Sequence, residues 1–273
     1  MSARLSARTR GLMRESPTEI TLPQLAAAGG WAQFRAPSVA APEAVVGPNG
    51  STRPHNGPFV LEIGIGKDTH IVACAAAEPA GRFVGIEHKR TRLDRVHAHA
   101  LRAGVTNLRL LLADADRVLD PAFEDSTLDQ VYVFFPDPWP KKRHHKHRLL
   151  RERFIALIAA KLTLGGGFEL RTDHAEYLHE ILPALAAEPS LVNLCGPSGF
   201  RTEPRDPSRH IATLFERRFR AAGQPIYYLY FEKQSATSRV DERRRLSPTE
   251  LANFHPLYDA QRRESDAEHQ TGF

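Results

Sequence analysis

The sequence contains little cysteine and no long apolar run, and each absence excludes a class of protein. Cys74 and Cys195 are its two cysteines, and no C-x-x-C pair occurs. Neither a disulfide framework nor a cysteine-based zinc site is therefore supported, and both thiols are expected to be reduced. No apolar run approaches membrane-spanning length, and the arginine-dotted start lacks the apolar segment of a signal peptide. We therefore expect a cytoplasmic, soluble protein that has no membrane partner.

The charge balance permits a polyanionic partner but does not require one. The chain carries 37 Lys and Arg against 32 Asp and Glu, a net charge of +5. The densest cationic cluster is 141–148, where five Lys or Arg and three His follow one another without an acidic residue. This cluster directly follows an apolar, β-favouring stretch, so the cations are expected at the end of a buried strand.

From Phe59 onward, β-favouring stretches alternate with helix-periodic ones. This alternation predicts an α/β fold with a doubly wound, mostly parallel, Rossmann-like sheet of seven strands. The predicted strands cover 59–66, 82–87, 108–112, 131–135, 168–173, 191–194 and 224–232. No convincing helix separates the last two strands, so one of them is expected to run antiparallel.

The composition changes at both ends of this region, which predicts three segments. Residues 58–233 form the sheet domain. Residues 1–57 form a basic, mostly flexible N-terminal arm with one short ordered piece around 20–28. Residues 234–273 form a charged C-terminal extension, in which Ser247-Pro248-Thr249-Glu250 predicts the start of a short helix.

Glycines and carboxylates gather where the predicted parallel strands end. Ligands of an open α/β sheet bind beyond the carboxyl ends of its strands. Gly64 and Gly66 allow a ligand to approach the backbone closely, and Glu87 suits a bidentate bond to ribose hydroxyls. Dinucleotide sites and S-adenosylmethionine sites share both features.

Three further residues favour S-adenosylmethionine over a dinucleotide. Thr69 occupies the place of the third glycine in the dinucleotide fingerprint. Glu62, before the turn, suits an ammonium group better than a pyrophosphate, and Asp114 can accept a hydrogen bond from an adenine amino group. Structural roles remain as alternatives: Glu62 and Glu87 can brace the loop, and Asp116 can cap the next helix in place of Asp114.

Asp137 is a candidate pocket residue because it sits at a rigid, proline-flanked strand end. Pro136 cannot donate to a ladder, so the preceding strand must stop there. Trp139 offers an indole that can stack on a flat ring or simply pack the loop. A metal site among the three neighbouring histidines is disfavoured, since the surrounding cations would repel the ion. These features suggest a pocket for a nucleobase attached to a phosphate backbone.

From about Phe59 to Lys233 the chain resembles the bacterial tRNA (guanine-N7-)-methyltransferase family. The motifs that carry the resemblance are Glu62-Ile63-Gly64-x-Gly66, Gly85-Ile86-Glu87, Asn107-Leu108 before Asp114, Phe134-Phe135-Pro136-Asp137-Pro138-Trp139-Pro140 with its basic run, Thr172-Asp173 and Thr213-x-Phe215-Glu216-Arg217-Arg218. The resemblance implies a methyltransferase fold, S-adenosylmethionine as cofactor, tRNA as partner and no metal. It also implies methyl transfer to N7 of a guanine in the variable loop, at tRNA position 46. No obligatory protein partner is evident.

The resemblance also implies roles for individual positions. Cofactor contacts are implied for Glu62, Gly64, Gly66, Glu87, Asp114 and Asp137, of which Asp137 is also the catalytic position. Substrate contacts are implied for Lys141, Asp173, Thr213, Leu214, Phe215 and Glu216. We expect contacts to the RNA backbone from Lys142, Arg143, Lys146 and Arg148.

Three positions depart from the family pattern. Asp68 replaces the last glycine of a Gly-x-Gly-x-Gly turn, Leu214 stands where a lysine is common, and Arg171 stands where a small residue is usual. Asp68 can repel the methionine carboxylate of the cofactor or bind its ammonium group. Two alternative hypotheses follow: a catalytically weak RNA-binding paralogue, and a methyltransferase acting on another nucleobase or a small molecule.

Overall fold

The computed structural model describes residues 18–28, 30–31, 45–46, 52–53 and 57–235 of the chain. Its strands are β1 (Glu19–Ile20), β2 (Val45–Val46), β3 (Thr52–Arg53), β4 (Phe59–Ile63), β5 (Arg82–Glu87), β6 (Leu108–Leu112), β7 (Leu128–Phe134), β8 (Leu162–Thr172), β9 (Leu191–Asn193) and β10 (Tyr227–Lys233). Its α-helices are α1 (Leu22–Ala27), α2 (His70–Ala77), α3 (Arg90–Ala103), α4 (Ala115–Ala122), α5 (Glu152–Lys161), α6 (Ala175–Ala187) and α7 (Leu214–Ala221). A 3-10 helix covers Lys142–His147. Among these residues no helix is long and apolar enough to cross a membrane.

The main sheet has the strand order β1-β6-β5-β4-β7-β8-β10-β9 within the described residues. β4 pairs in parallel with β5 on one side and with β7 on the other, so the strand order reverses between β4 and β7. All five residues of β4 are buried, as expected for a strand covered on both faces. The crevice beyond the carboxyl ends of β4 and β7 is the place where such a fold binds its ligands.

Helices cover both faces of the sheet, which confirms the doubly wound α/β prediction. One apolar cluster joins the sheet to α2 and α3 through residues such as Ile71 and Val96. A larger cluster joins the other face to α1, α4, α5 and α6 through residues such as Leu119, Phe154 and Ile181. The seven predicted strands are all present, and the sheet gains a further strand, β1.

The last strand, β10, runs antiparallel to both β8 and β9, as one of the last two strands was predicted to do. The absence of a helix before it is not borne out, because α7 lies between β9 and β10. Two turns are too short for a clear helical period, and four of the eight residues of α7 are charged. Its start is nevertheless well defined, since the side chain of Thr213 accepts a hydrogen bond from Glu216 N.

The described residues 18–28, 30 and 31 lie within the predicted N-terminal arm and pack on the sheet. β1 pairs in parallel with β6 through Glu19 and Ile20. Trp31 is 7% exposed, stacks on Phe123 at 5.3 Å and donates from Nε1 to the carbonyl of Ala122. The ordered piece predicted around 20–28 is therefore present, and Trp31 joins the same apolar cluster. In the rest of the arm, 45–46 and 52–53 form the antiparallel pair of β2 and β3, and most of the other residues predicted to be flexible lie outside the described part of the chain. The helix predicted at 247–250 also lies outside it.

Candidate active site at the carboxyl edge of the sheet

A cavity of about 320 Å³ lies where the strand order reverses. The lining includes four of the predicted site residues, which are Gly64, Glu87, Asp114 and Asp137. Trp139 and His147 also line it. These six residues come from the ends of β4, β5 and β6 and from the segment after β7, and the parallel sheet brings them to one edge.

Glu87 both braces the glycine loop and lines the cavity. Its side chain is 1% exposed and accepts hydrogen bonds from Gly66 N at 2.9 Å and Lys89 N at 2.8 Å. Gly64 and Gly66 have φ values of +75° and +61°, which an L side chain rarely adopts. A carboxylate offers about four lone-pair positions, so acceptor capacity remains beyond the two loop bonds.

Asp114 combines a helix cap with a place in the cavity. Its side chain accepts a hydrogen bond from Asp116 N at 3.1 Å and so caps α4. The alternative in which Asp116 provides the cap is therefore wrong. Asp114 remains exposed, and one of its carboxylate oxygens takes no part in the cap bond.

Glu62 does not line the cavity but forms a buried pair with His70. The side chain of Glu62 is 4% exposed, and its Oε2 lies 2.7 Å from His70 Nδ1. The imidazole is in edge contact with the rings of Tyr132 at 5.3 Å and Phe134 at 4.8 Å. Glu62 therefore anchors the first turn of α2. The sequence interpretation missed this pair, because a spacing of eight residues between a strand and the next helix does not indicate a contact.

The Glu62–His70 pair predicts a loss of stability at alkaline pH. Burial opposes the imidazolium charge, but the Glu62 carboxylate outweighs burial and raises the pKa of His70 to about 10. Below pH 6.5 the pair contributes fully. As the pH rises from 6.5 towards 10, the folded protein keeps a proton that the unfolded chain loses, so the free energy of unfolding falls by at most about 1.4 kcal/mol per pH unit.

Urea unfolding at several pH values tests this prediction. Between pH 7 and 9.5 the free energy of unfolding should fall less steeply with pH in His70→Gln than in the wild type. His88→Gln is the matched control, because the side chain of His88 is 54% exposed. An unchanged slope in His70→Gln would show that the pair does not hold the proton.

Both carboxylate oxygens of Asp68 accept hydrogen bonds from the backbone. It is 7% exposed, and its Oδ1 accepts from Thr69 N at 2.7 Å and His70 N at 3.1 Å. Its Oδ2 accepts from the backbone N–H of Leu214. The departure at position 68 is thus a cap for α2 that also bonds to the first residue of α7.

Thr213 and Glu216 build α7 rather than face the solvent. Thr213 is 2% exposed and caps the helix. Glu216 is 1% exposed and accepts from His210 Nε2 at 2.6 Å, the hydroxyl of Tyr228 at 2.7 Å and Arg171 Nη1 at 2.9 Å. The substrate contacts implied for both residues stay a prediction, and within the protein both side chains already have partners. Leu214 and Phe215 are more accessible, and Phe215 is 37% exposed.

Arg171, the third departure from the family pattern, is the cation of this buried network. Its guanidinium lies 3.9 Å from the ring centre of Phe134 and donates to Glu169 at 2.8 Å. It also donates to the carbonyl of Ile211, just before α7. A small residue could make none of these contacts, so Arg171 connects β8 to the segment that leads into α7.

Arg148, one of the predicted contacts to the RNA backbone, is buried in this structure. It is 2% exposed, donates from Nε to the carbonyl of Pro138 at 2.6 Å and forms an ion pair with Glu180. It therefore fixes the turn that carries Trp139. His145, Glu176 and Glu180 could offer ligand atoms to a metal ion, but the Arg148 cation already occupies Glu180.

The other predicted RNA contacts fit the structure better. Lys141, Arg143 and Lys146 are all exposed around the 3-10 helix. The side chain of Lys142 lies outside the described part of the structure. Asp173, at the end of β8, is half-buried, and burial raises the pKa of its carboxyl group.

The segment around Asp137 has an unusual backbone. Phe135 and Trp139 have φ values of +49° and +46°, a region that costs a non-glycine residue about 1–3 kcal/mol. The surroundings hold both: Phe135 N donates to Arg171 O at 2.7 Å, and the indole of Trp139 contacts His144 and His147. Asp137 between them is exposed, and the part of the chain that the structure describes gives its carboxylate no hydrogen-bond donor.

Comparison with known proteins agrees with this geometry. A family model described as "Putative methyltransferase" matches residues 56–229. The tRNA (guanine-N(7)-)-methyltransferase of Alkalilimnicola ehrlichii is 40% identical over 177 residues, which cover 65% of this chain and 73% of that protein. The enzyme of the same name from Shewanella baltica is 41% identical over 174 residues, covering 64% and 72%.

Among solved structures, the 16S rRNA methyltransferase KamB aligns with a TM-score of 0.46 and 16% identity, over 71% of this chain and 100% of that one. The family assignment depends on the sequence relatives and on the family model, whose matched region, residues 56–229, contains the cavity and the whole segment around Asp137. With the sheet, the glycine loop and the Asp137 segment all in the places that the motifs predict, this chain belongs to the tRNA (guanine-N7-)-methyltransferase family, whose cofactor is S-adenosylmethionine.

Proposed function

We propose that this protein transfers a methyl group from S-adenosylmethionine to N7 of a guanine in tRNA, at position 46 of the variable loop. One observation carries the proposal. Asp137 is exposed, has no donor among the described residues and lines the same cavity as Gly64, Glu87 and Asp114. A free carboxylate at a rigid strand end, beside a cofactor-type loop, suits a nucleobase better than a structural role.

The cavity residues fit S-adenosylmethionine. Glu87 would hold the ribose hydroxyls with its remaining acceptor positions, and Asp114 would accept from the adenine amino group. No atom lies within 4 Å of the position that a Cβ of Gly64 would occupy, so the backbone there is open to a ligand. When bound, the cofactor supplies a methyl group on a positively charged sulfur.

The protein's contribution to this reaction is mainly positioning. Guanine N7 carries an exposed lone pair, so no base has to remove a proton from it before it reacts. Asp137 would accept hydrogen bonds from guanine N1–H and the exocyclic amine, which orients N7 and offsets the positive charge arriving on the ring. Trp139, held by Arg148 and the two histidines, would stack on a guanine that leaves its own stack.

Exposed cations lie on the two elements that contact the Asp137 segment, the 3-10 helix and α7, and they suit the phosphate backbone. Lys141, Arg143 and Lys146 lie on or next to the 3-10 helix, and Arg217 and Arg218 are exposed on α7. Contacts with phosphates give affinity for RNA without distinguishing one nucleotide sequence from another. Base recognition is therefore assigned to the cavity, and strand binding to its rim.

Incubation with labelled S-adenosylmethionine and an unmodified tRNA transcript tests the proposal. Digestion of the product should give labelled 7-methylguanosine, and a transcript with adenine at position 46 should give none. Label in another nucleoside would favour a methyltransferase acting on a different base. Binding of tRNA without binding of S-adenosylhomocysteine, measured by calorimetry, would favour an RNA-binding paralogue.

Removal of rim cations should weaken tRNA binding and flatten its salt dependence. The double variant Lys141→Ala/Lys146→Ala loses two exposed charges, so the slope of log K against log salt should fall by about 1–2 units. Fluorescence anisotropy between 50 and 300 mM salt measures it. Arg95→Ala/Arg102→Ala, on the exposed side of α3, is the matched control. An equal change of slope in both variants would place the RNA elsewhere.

A further inference from the structure

One carboxylate joins the cofactor loop to α7. Asp68 follows the glycine turn at Gly64–Gly66, and its Oδ1 caps the first turn of α2. Its other oxygen, Oδ2, accepts the backbone N–H of Leu214, which is the first residue of α7. The positive ends of two helices thus meet at one side chain that is 7% exposed.

α7 is connected in turn to the substrate side of the cavity. Phe215 and Phe219 lie 6.0 and 5.5 Å from the ring of Phe135. Phe135 lines the cavity and precedes Asp137 by two residues. The line of contacts therefore runs from the glycine loop through Asp68 and α7 to the segment that carries Asp137.

We propose that Asp68 is a positioning residue that couples the cofactor loop to α7, so that a ligand in the loop also stabilises α7. The RNA half of this inference rests on the proposed function, because α7 bears Phe215, Arg217 and Arg218 on its exposed side. Coupling of this kind is reciprocal. If a ligand that orders the loop raises the affinity of α7 for RNA by some factor, RNA raises the affinity for that ligand by the same factor.

The chain permits a substitution that removes this one hydrogen bond. Leu214→Pro deletes the N–H that Asp68 accepts, and proline is well tolerated at the first position of a helix. Thr213, which precedes it, already has φ −72° and ψ 167°, close to the conformation that a residue before proline adopts. Leu214→Ala is the matched control because it keeps the N–H and loses the side chain.

Hydrogen exchange of the backbone amides, with and without S-adenosylhomocysteine, measures the coupling in the absence of catalysis. In the wild type and in Leu214→Ala, the ligand should slow exchange of the α7 amides by at least about fivefold. In Leu214→Pro the slowing should be confined to the glycine loop and the cavity. Asp68→Asn, which keeps the size but not the charge, should lose most of the α7 effect.

The second measurement is the affinity for S-adenosylhomocysteine with and without saturating tRNA transcript. The ratio should be at least about fivefold in the wild type and Leu214→Ala, and within twofold of unity in Leu214→Pro. Unaltered α7 exchange on ligand binding, or an equal effect in Leu214→Pro and Leu214→Ala, would overturn the inference. Slowed α7 exchange in a protein that neither binds nor methylates tRNA would instead overturn the proposed function and leave the coupling standing.

Discussion

Asp137→Ala is expected to reduce methyl transfer by at least about 10²–10³-fold, the cost of losing one preorganised electrostatic group, with little change in tRNA affinity. Asp137 is the cavity carboxylate with no donor among the described residues, so its substitution breaks no structural hydrogen bond that the structure shows. The loss should appear in the single-turnover rate. The dissociation constant for tRNA should stay within about twofold, because phosphate contacts supply most of the affinity.

Two further variants make this result specific. Asp137→Asn keeps one acceptor oxygen but loses the charge, so its single-turnover rate should lie between those of the wild type and the alanine variant. Asp116→Ala, an exposed aspartate on α4, is the matched control and should retain the wild-type rate. A tRNA affinity that drops as far as the rate would show that Asp137 binds RNA rather than orienting the guanine.

Arg171→Met is expected to destabilise the protein by about 3–5 kcal/mol, as is usual when one partner of a buried ion pair is removed. Arg171 and Glu216 are 2% and 1% exposed, and their charged atoms lie 2.9 Å apart. Without the guanidinium, Glu216 keeps hydrogen bonds from His210 and Tyr228 but loses its buried cation. Urea unfolding measures the effect, and detachment of α7 should accompany it.

A double-mutant cycle with Glu216→Gln separates the ion pair from mere loss of packing. The double variant should lose less stability than the sum of the losses in the two single variants, because it leaves neither Arg171 nor Glu216 as an unpaired buried charge. Arg151→Met is the matched control. Its pair with Asp116, at 3.7 Å between exposed side chains, should contribute less than about 1 kcal/mol. Additive effects of Arg171→Met and Glu216→Gln would contradict the pairing.

The same network should lose stability in acid. Burial by itself would raise the pKa of Glu216, but the hydrogen bonds from His210 and Tyr228 and the charge of Arg171 outweigh it and lower the pKa to about 2. The contribution of Glu216 is therefore complete above about pH 4.5 and is lost as the pH falls towards 2. Glu216→Gln should remove this part of the acid dependence.

The sequence predicted the fold well because its signals were local. Apolar runs of strand length, glycine turns and the proline after Phe135 each act within a few residues, and the βαβ alternation leaves few topologies open. The strand ends at Glu87, Asp114 and Asp137 then had to share one edge. Neither β1 nor α7 was predicted, since two residues and two helical turns carry almost no periodicity.

The partners of the side chains could not be read in the same way. Glu62 and Glu216 matched positions with ligand roles, and their partners within the protein, His70 and the Arg171 network, come from tertiary contacts that no motif indicated. Arg148 belongs to a cationic run but is buried, because the run folds back on Pro138 and Trp139. A buried charge must find a partner, and that partner is chosen by packing across the fold rather than by spacing along the chain.

From the sequence alone came the sheet, the edge at which ligands bind, the family and the candidate Asp137, because strand periodicity and rigid turns place backbone groups whatever surrounds them. Tertiary structure alone decided which carboxylates have partners within the protein, and that Asp68 accepts the backbone N–H of Leu214, 146 residues away in the sequence. The physical reason is that hydrogen bonds and ion pairs depend on distances of a few ångströms, which only the packed chain sets.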